Sequence, residues 1–122
     1  MRRLLCTTLL FSAGLAQAEV PRVATDIAPV HSLVSMVMQG AGSPDLIIPP
    51  GASPHSYAMR PTEARNLAQA DLVVWVGPSL TAWLEGPLDS LAQDAQRLTL
   101  QDADGIRLLT NRSGVAFEAH DH

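Results

Sequence analysis

The sequence predicts an α/β fold, a parallel sheet flanked by helices, and three observations lead to it. The apolar run Leu72-Val73-Val74-Trp75-Val76 is unbroken. A strand covered on one face would alternate with polar residues, so this one is expected to be buried on both faces. Val30, Leu33, Val34, Val37 and Met38 recur at i, i+3, i+4, i+7 and i+8, which is one apolar face of an α-helix. Strand-like and helix-like segments also alternate along the chain, an order that favours parallel strands joined by right-handed crossovers.

In chain order, the first eighteen residues stand apart from this fold. "MRRLLCTTLLFSAGLAQA" carries Arg2 and Arg3, an apolar run from Leu4 to Leu15, and an Ala16-Gln17-Ala18 box, the three parts of a cleavable secretory signal. The alternative, a membrane anchor, needs roughly 20 apolar residues, more than this run supplies. "RVATDI", Arg22 to Ile27, is β-prone and leads into Ala28-Pro29, with Pro29 suited to the first turn of a helix. Gly40 and Gly42 are expected to end that helix. "DLIIP", Asp45 to Pro49, reads as a short strand that stops where the prolines begin, because proline cannot donate to a sheet ladder.

Pro61-Thr62 starts a second helix with Ala64, Leu67 and Ala68 on its inner face, and this runs into the apolar strand of "DLVVWVG", Asp71 to Gly77. Ser79 is the expected N-cap of a third helix with Leu80, Trp83 and Leu84 inward. Gly86-Pro87 should interrupt it before it resumes through Leu91. "RLTL", Arg97 to Leu100, reads as a further strand, and "IRLL", Ile106 to Leu109, is ambiguous. Past Thr110 the apolar pattern fades. The sequence finishes "EAHDH", Glu118 to His122, with no closing element, which reads as a cut inside a longer protein.

Composition narrows the function. Outside the leader there is no cysteine and no lysine, and six arginines face twelve acidic residues. An exported chain without cysteine holds its fold without disulfides, which suits the bacterial periplasm better than a small disulfide scaffold. With no basic cluster in this part, nucleic acid and anionic membrane are excluded as expected partners.

The most informative loop is "PPGASPHSYAMRP", Pro49 to Pro61, which holds four of the nine prolines and one histidine, His55. Pro49, Pro50 and Pro54 fix their own φ and restrict the residues before them, while Gly51 supplies one permissive hinge. In an open parallel sheet, ligands bind beyond the carboxyl ends of the strands, where this loop begins. A histidine on so stiff a support suits a metal-ligand position. It is also consistent with an ordinary packing or surface histidine, and one imidazole does not by itself complete a zinc site of four ligands. His31, at the start of the first helix, reads as bonded to backbone or a neighbouring loop, with ligation the alternative. His120 and His122 read as a loose metal-capture tract or as solvated tail. Arg60 and Arg65 are expected to pair with Glu63 on the surface, Tyr57 to pack with its hydroxyl at the rim, and Trp75 and Trp83 to lie in the core.

"PPGASPHSYAMRPTEARNLAQADLVVWVGP", with "VATDIAPVHSLVSMVMQG" before it, resembles the metal-specific solute-binding proteins of bacterial ABC importers, most closely their zinc-uptake members. The resemblance spans nearly all of the chain after the leader. It implies two α/β lobes joined by a long helix, with metal in the cleft between them and His55 as the first ligand, supplied by the N-terminal lobe. Residues 19–117 would then be that lobe, incomplete, and 118–122 the start of a loop rich in histidine and acids. The remaining ligands would come from beyond residue 122. Some relatives place a carboxylate directly before the loop histidine, where this chain has Pro54.

The resemblance further implies a monomeric periplasmic receptor, not an enzyme, that captures Zn²⁺ with high affinity and delivers it to an inner-membrane ABC permease. Zinc is favoured over the manganese alternative in part because no carboxylate lies between Leu46 and Thr62 and manganese prefers oxygen donors, and more by the start of a histidine-rich tract at Glu118 to His122. Two different classes compete with a receptor: a fragment of an exported metallo-hydrolase, and a small α/β interaction domain. The hydrolase would need a motif such as H-E-x-x-H, which does not occur in the sequence.

Overall fold

The computed structural model describes residues 19–110. The expected export signal at 1–18, with His120 and His122, lies outside them. Four strands form one sheet: β1 (Val23–Thr25), β2 (Asp45–Leu46), β3 (Leu72–Trp75) and β4 (Gln96–Thr99), in the spatial order β2-β1-β3-β4. All three pairings are parallel, with Ala24 opposite Asp45 on one side and Val73 on the other, and Val74 opposite Leu98. The α/β architecture is the one expected from the sequence. Pairing of β2 extends past its two regular residues, since the Ile47 and Ile48 N–H groups donate to the Thr25 and Asp26 carbonyls at 2.9 Å. It stops at Pro49, which has no N–H to offer.

The two-sided burial expected of the apolar run is present. Val73 and Trp75 point into a core with Ala24, Ile47, Ile48, Leu67, Leu84 and Leu88. Val74 points the other way and packs with Val23 and Val30. Four helices connect the strands: α1 (Ala28–Val37), α2 (Pro61–Ala68), α3 (Pro78–Thr81) and α4 (Glu85–Leu91). Leu67 of α2 and Leu88 of α4 belong to the first core, and Val30 of α1 to the second. Helices therefore sit on both faces of the sheet, as parallel topology requires.

Several expectations need correction. The apolar stripe of α1 is only partly covered: Val30 is buried and Val34 and Met38 pack against it, but Leu33 is 58% and Val37 87% exposed. Periodicity identified the right face of the helix, yet the sheet beneath reaches only part of it. On α2, Ala68 is exposed while Glu63 is buried. The third helix is capped by Gly77 rather than Ser79, because Pro78 takes its first position; the Ser79 hydroxyl donates instead to Gln101 Oε1 at 2.7 Å. Gly77 has φ +134°, and a Cβ there would run into the Gln101 side chain, so this turn admits only glycine. The helix breaks earlier than Gly86-Pro87, through a 3₁₀ turn at Ala82–Leu84. Pro87 then lies in the first turn of α4, where its missing N–H leaves no bond unmade. The ambiguous segment Ile106 to Leu109 forms no helix or strand.

One buried carboxylate fastens the carboxyl ends of the central strands. Asp26 is 0% exposed, accepts the Ile27 N–H through Oδ1 at 2.8 Å and the Val76 N–H through Oδ2 at 2.8 Å. It thereby ties the end of β1 to the end of β3. Burial pushes its carboxyl above the ordinary 3.8, against the pull of its bonds from Val76 and Ile27. Both oxygens are engaged in this structural role.

Candidate metal centre

The loop that carries His55 leaves β2 at the carboxyl edge of the sheet, and each of its bends has a local cause. Pro49 to Ala52 form a tight turn in which the Ala52 N–H donates to the Pro49 carbonyl at 3.1 Å. Pro50 occupies the second position, and Gly51 the third with φ +86°, the arrangement of a type II turn. Pro54 then fixes φ one residue before His55. The His55 side chain is exposed and borders an open depression with Pro78, Ser79, Leu80 and Ala82, so loop and α3 face each other across it.

The loop is held from both sides. The Trp83 indole N–H donates to the Pro54 carbonyl at 2.7 Å, and the Trp83 ring meets Tyr57 edge to face, with centroids 6.0 Å apart and planes at 61°. Tyr57 in turn donates its hydroxyl to the Glu63 carboxylate, with both oxygens at 3.0 Å. Desolvation, and after it the bond to Glu63, raise the Tyr57 hydroxyl above its usual range. Glu63 also reaches back to accept the Arg60 N–H at 2.6 Å, the helix-to-cap half of a capping box. The Arg60 guanidinium stands 3.9 Å from the same carboxylate, with its own side chain largely in solvent, so the ion pair adds little.

These contacts revise the surface reading of Glu63 and the simple core reading of Trp83. Glu63 is a buried anchor for the loop, and its position third in a helix that starts at Pro61 was an available signal. Trp83 is half-buried and bonds a residue 29 positions away, a pairing that no local pattern encodes. His31 belongs to the scaffold: its Nε2 donates to the Pro44 carbonyl at 3.1 Å, which fixes α1 against the approach to β2. Of the candidate residues, Pro49, Pro50, Gly51, Pro54 and His55 share one loop. Among the described residues, no three His, Cys, Asp or Glu side chains stand together as a metal-binding group.

The chain matches the model of a protein family described as zinc-uptake complex component A, periplasmic, over residues 23–122. The chain belongs to this family. It is 43% identical over 100 residues to the high-affinity zinc uptake system protein ZnuA of Brucella abortus, a match that covers 82% of this chain and 30% of the relative. With the ZnuA of Paracoccus denitrificans it shares 49% identity over 87 residues, covering 71% of this chain and 27% of the relative. The chain thus spans about 30% of the length of such relatives.

Solved structures agree on the fold. The zinc-bound ZnuA-like domain of AdcA from Streptococcus pneumoniae aligns with a TM-score of 0.60 at 21% identity, over 73% of this chain and 33% of that one. The periplasmic zinc-binding protein TroA from Treponema pallidum aligns at 0.61 and 23%, over 67% and 30%. A manganese-bound periplasmic metal-binding protein from Candidatus Liberibacter asiaticus aligns at 0.62 and 18%, over 72% and 33%. Zinc-bound and manganese-bound proteins alike have this fold, so the fold does not select the metal.

Proposed function

We propose that this chain is the N-terminal metal-binding lobe of a periplasmic receptor that captures Zn²⁺ and delivers it to an inner-membrane ABC permease. The observation that carries the reading is His55 itself, exposed at the carboxyl edge of a parallel sheet on a loop pinned at Pro54 and Tyr57, in a chain of the zinc-uptake family. Imidazole suits zinc, and a ligand fixed in advance spares the metal the cost of ordering the loop. His55 is the first ligand in this proposal, and residues outside the chain's described part complete the set. His120 and His122 serve as an outer capture tract.

Residues 1–18 act as a cleaved export signal, residues 19–117 as the lobe, and 118–122 as the start of a His- and acid-rich loop. The receptor works as a monomer and performs no chemistry on its cargo, since a capture site closes around the ion and keeps no position open for activated water.

Equilibrium dialysis of the full-length protein tests the ligand assignment. Loss of an outer-shell partner of a metal typically weakens binding about 10- to 100-fold, so His55→Ala, which removes a ligand, is expected to weaken zinc binding by at least ~100-fold. Zinc affinity equal to wild type would remove His55 from the site. Competition with manganese in the same cell checks the cargo, with zinc expected to displace it.

A further inference from the structure

We infer that Trp83 is a positioning residue for the metal loop, acting through the Pro54 carbonyl and the Tyr57 ring to fix His55 before metal arrives. The inference rests on the reading of His55 as a ligand. The Pro54 carbonyl belongs to the same peptide plane as the His55 N–H. Pro54 has its φ set by its ring, and the 2.7 Å bond from Trp83 Nε1, short for an N–H···O contact, sets the plane that follows. Two residues beyond His55, the Trp83 ring meets Tyr57, whose hydroxyl is fastened to Glu63. One side chain therefore restrains the backbone on both sides of the imidazole.

Trp83 packs against the main core, and a phenylalanine there would keep a ring but have no N–H for the Pro54 carbonyl. The bond therefore adds position to packing. Its anchor is rigid: Trp83 lies in the 3₁₀ turn Ala82–Leu84, and the next residue, Leu84, is 0% exposed in the main core. The same turn approaches the depression that His55 borders, through Ala82. A restraint that spans this depression holds the loop at a set distance from α3.

Coupling between two events is reciprocal: if the Trp83 bond strengthens zinc binding by some factor, zinc strengthens the Trp83 bond by the same factor. The test uses the full-length protein with Zn²⁺ as probe. Zinc affinity is measured by chelator competition for wild type, Trp83→Phe and His55→Ala, and exchange of the Trp83 indole proton is followed by NMR with and without zinc. Trp83→Phe is expected to weaken zinc binding about 3- to 10-fold, the scale of one hydrogen bond. Zinc is expected to slow indole exchange by a similar factor in wild type and to leave it unchanged in His55→Ala.

Indole exchange that ignores zinc in a wild-type protein that His55→Ala disables would overturn the positioning role and leave the ligand assignment standing. Wild-type zinc affinity in Trp83→Phe would do the same. Wild-type affinity in His55→Ala would overturn both. The exchange measurement needs no substitution at Trp83, so it decides the matter even if Trp83→Phe fails to fold.

Discussion

The two faces of the sheet are built to different standards. On the face covered by α2 and α4, nine residues from Ala24 to Ala92 form a core in which none is more than 4% exposed, and Ala52, Tyr57, Met59 and Trp83 rest directly on it. On the face covered by α1, the core is three valines, Val23, Val30 and Val74. Beside them Leu33, Val37 and Leu98 remain substantially exposed, along a groove that Val34, Met38 and Leu72 also line. The His55 loop is seated on the first face. Close packing has low compressibility and transmits position, so the imidazole stands on the part of the molecule that yields least.

Substitutions on the two faces should separate these roles. The largest effect is expected from Leu67→Ala, because Leu67 is 0% exposed and central to the first core. It should cost about 2–5 kcal/mol in urea unfolding, and a loss below ~1 kcal/mol would show that this face is no better packed than the other. The smallest is expected from Val37→Ser, at a side chain 87% exposed on α1, which should leave stability within about 0.5 kcal/mol. A loss comparable to that of Leu67→Ala would mean that α1 contributes through contacts its exposure conceals.

Between these extremes lies Asp26, at the seam of the two faces. Its folded-state pKa is raised above 3.8, by burial first. A group raised in this way contributes its full stability below the unfolded pKa, and that contribution is lost as the pH climbs through the folded value. The stability of wild type relative to Asp26→Asn is therefore expected to be highest below pH 3.8 and to decline as the pH rises through the raised value, followed by urea unfolding at successive pH values. The opposite slope would mean that the bonds from Ile27 and Val76 outweigh burial.

Much of this architecture was legible in the residues. The unbroken run 72–76 announced a strand buried twice over, and Pro49 marked where the pairing that continues past β2 stops. The permissive hinge expected at Gly51 is there, with φ +86° at the third position of a type II turn. What periodicity left out was coverage. The spacing of Leu33 and Val37 describes a face, and whether that face meets a partner depends on the width of the sheet. Ser79 misled for a local reason, since Pro78 is a better first helical residue than a continuation of the strand and moved the cap back to Gly77. The restraints around His55 were the least visible part. Trp83 and Pro54 are brought together by a strand and two helices, and the buried state of Glu63 depends on a hydroxyl from Tyr57.

Glu63 couples two kinds of order. Its carboxylate closes the first turn of α2 through the Arg60 N–H and also holds Tyr57 in the His55 loop. Fraying of that turn would release the tyrosine, and a loop set adrift would in turn leave the helix end without its cap. The loop and the first turn of α2 thus open and close as one local folding unit, which makes the placement of the imidazole a property of a helix terminus rather than of the loop alone.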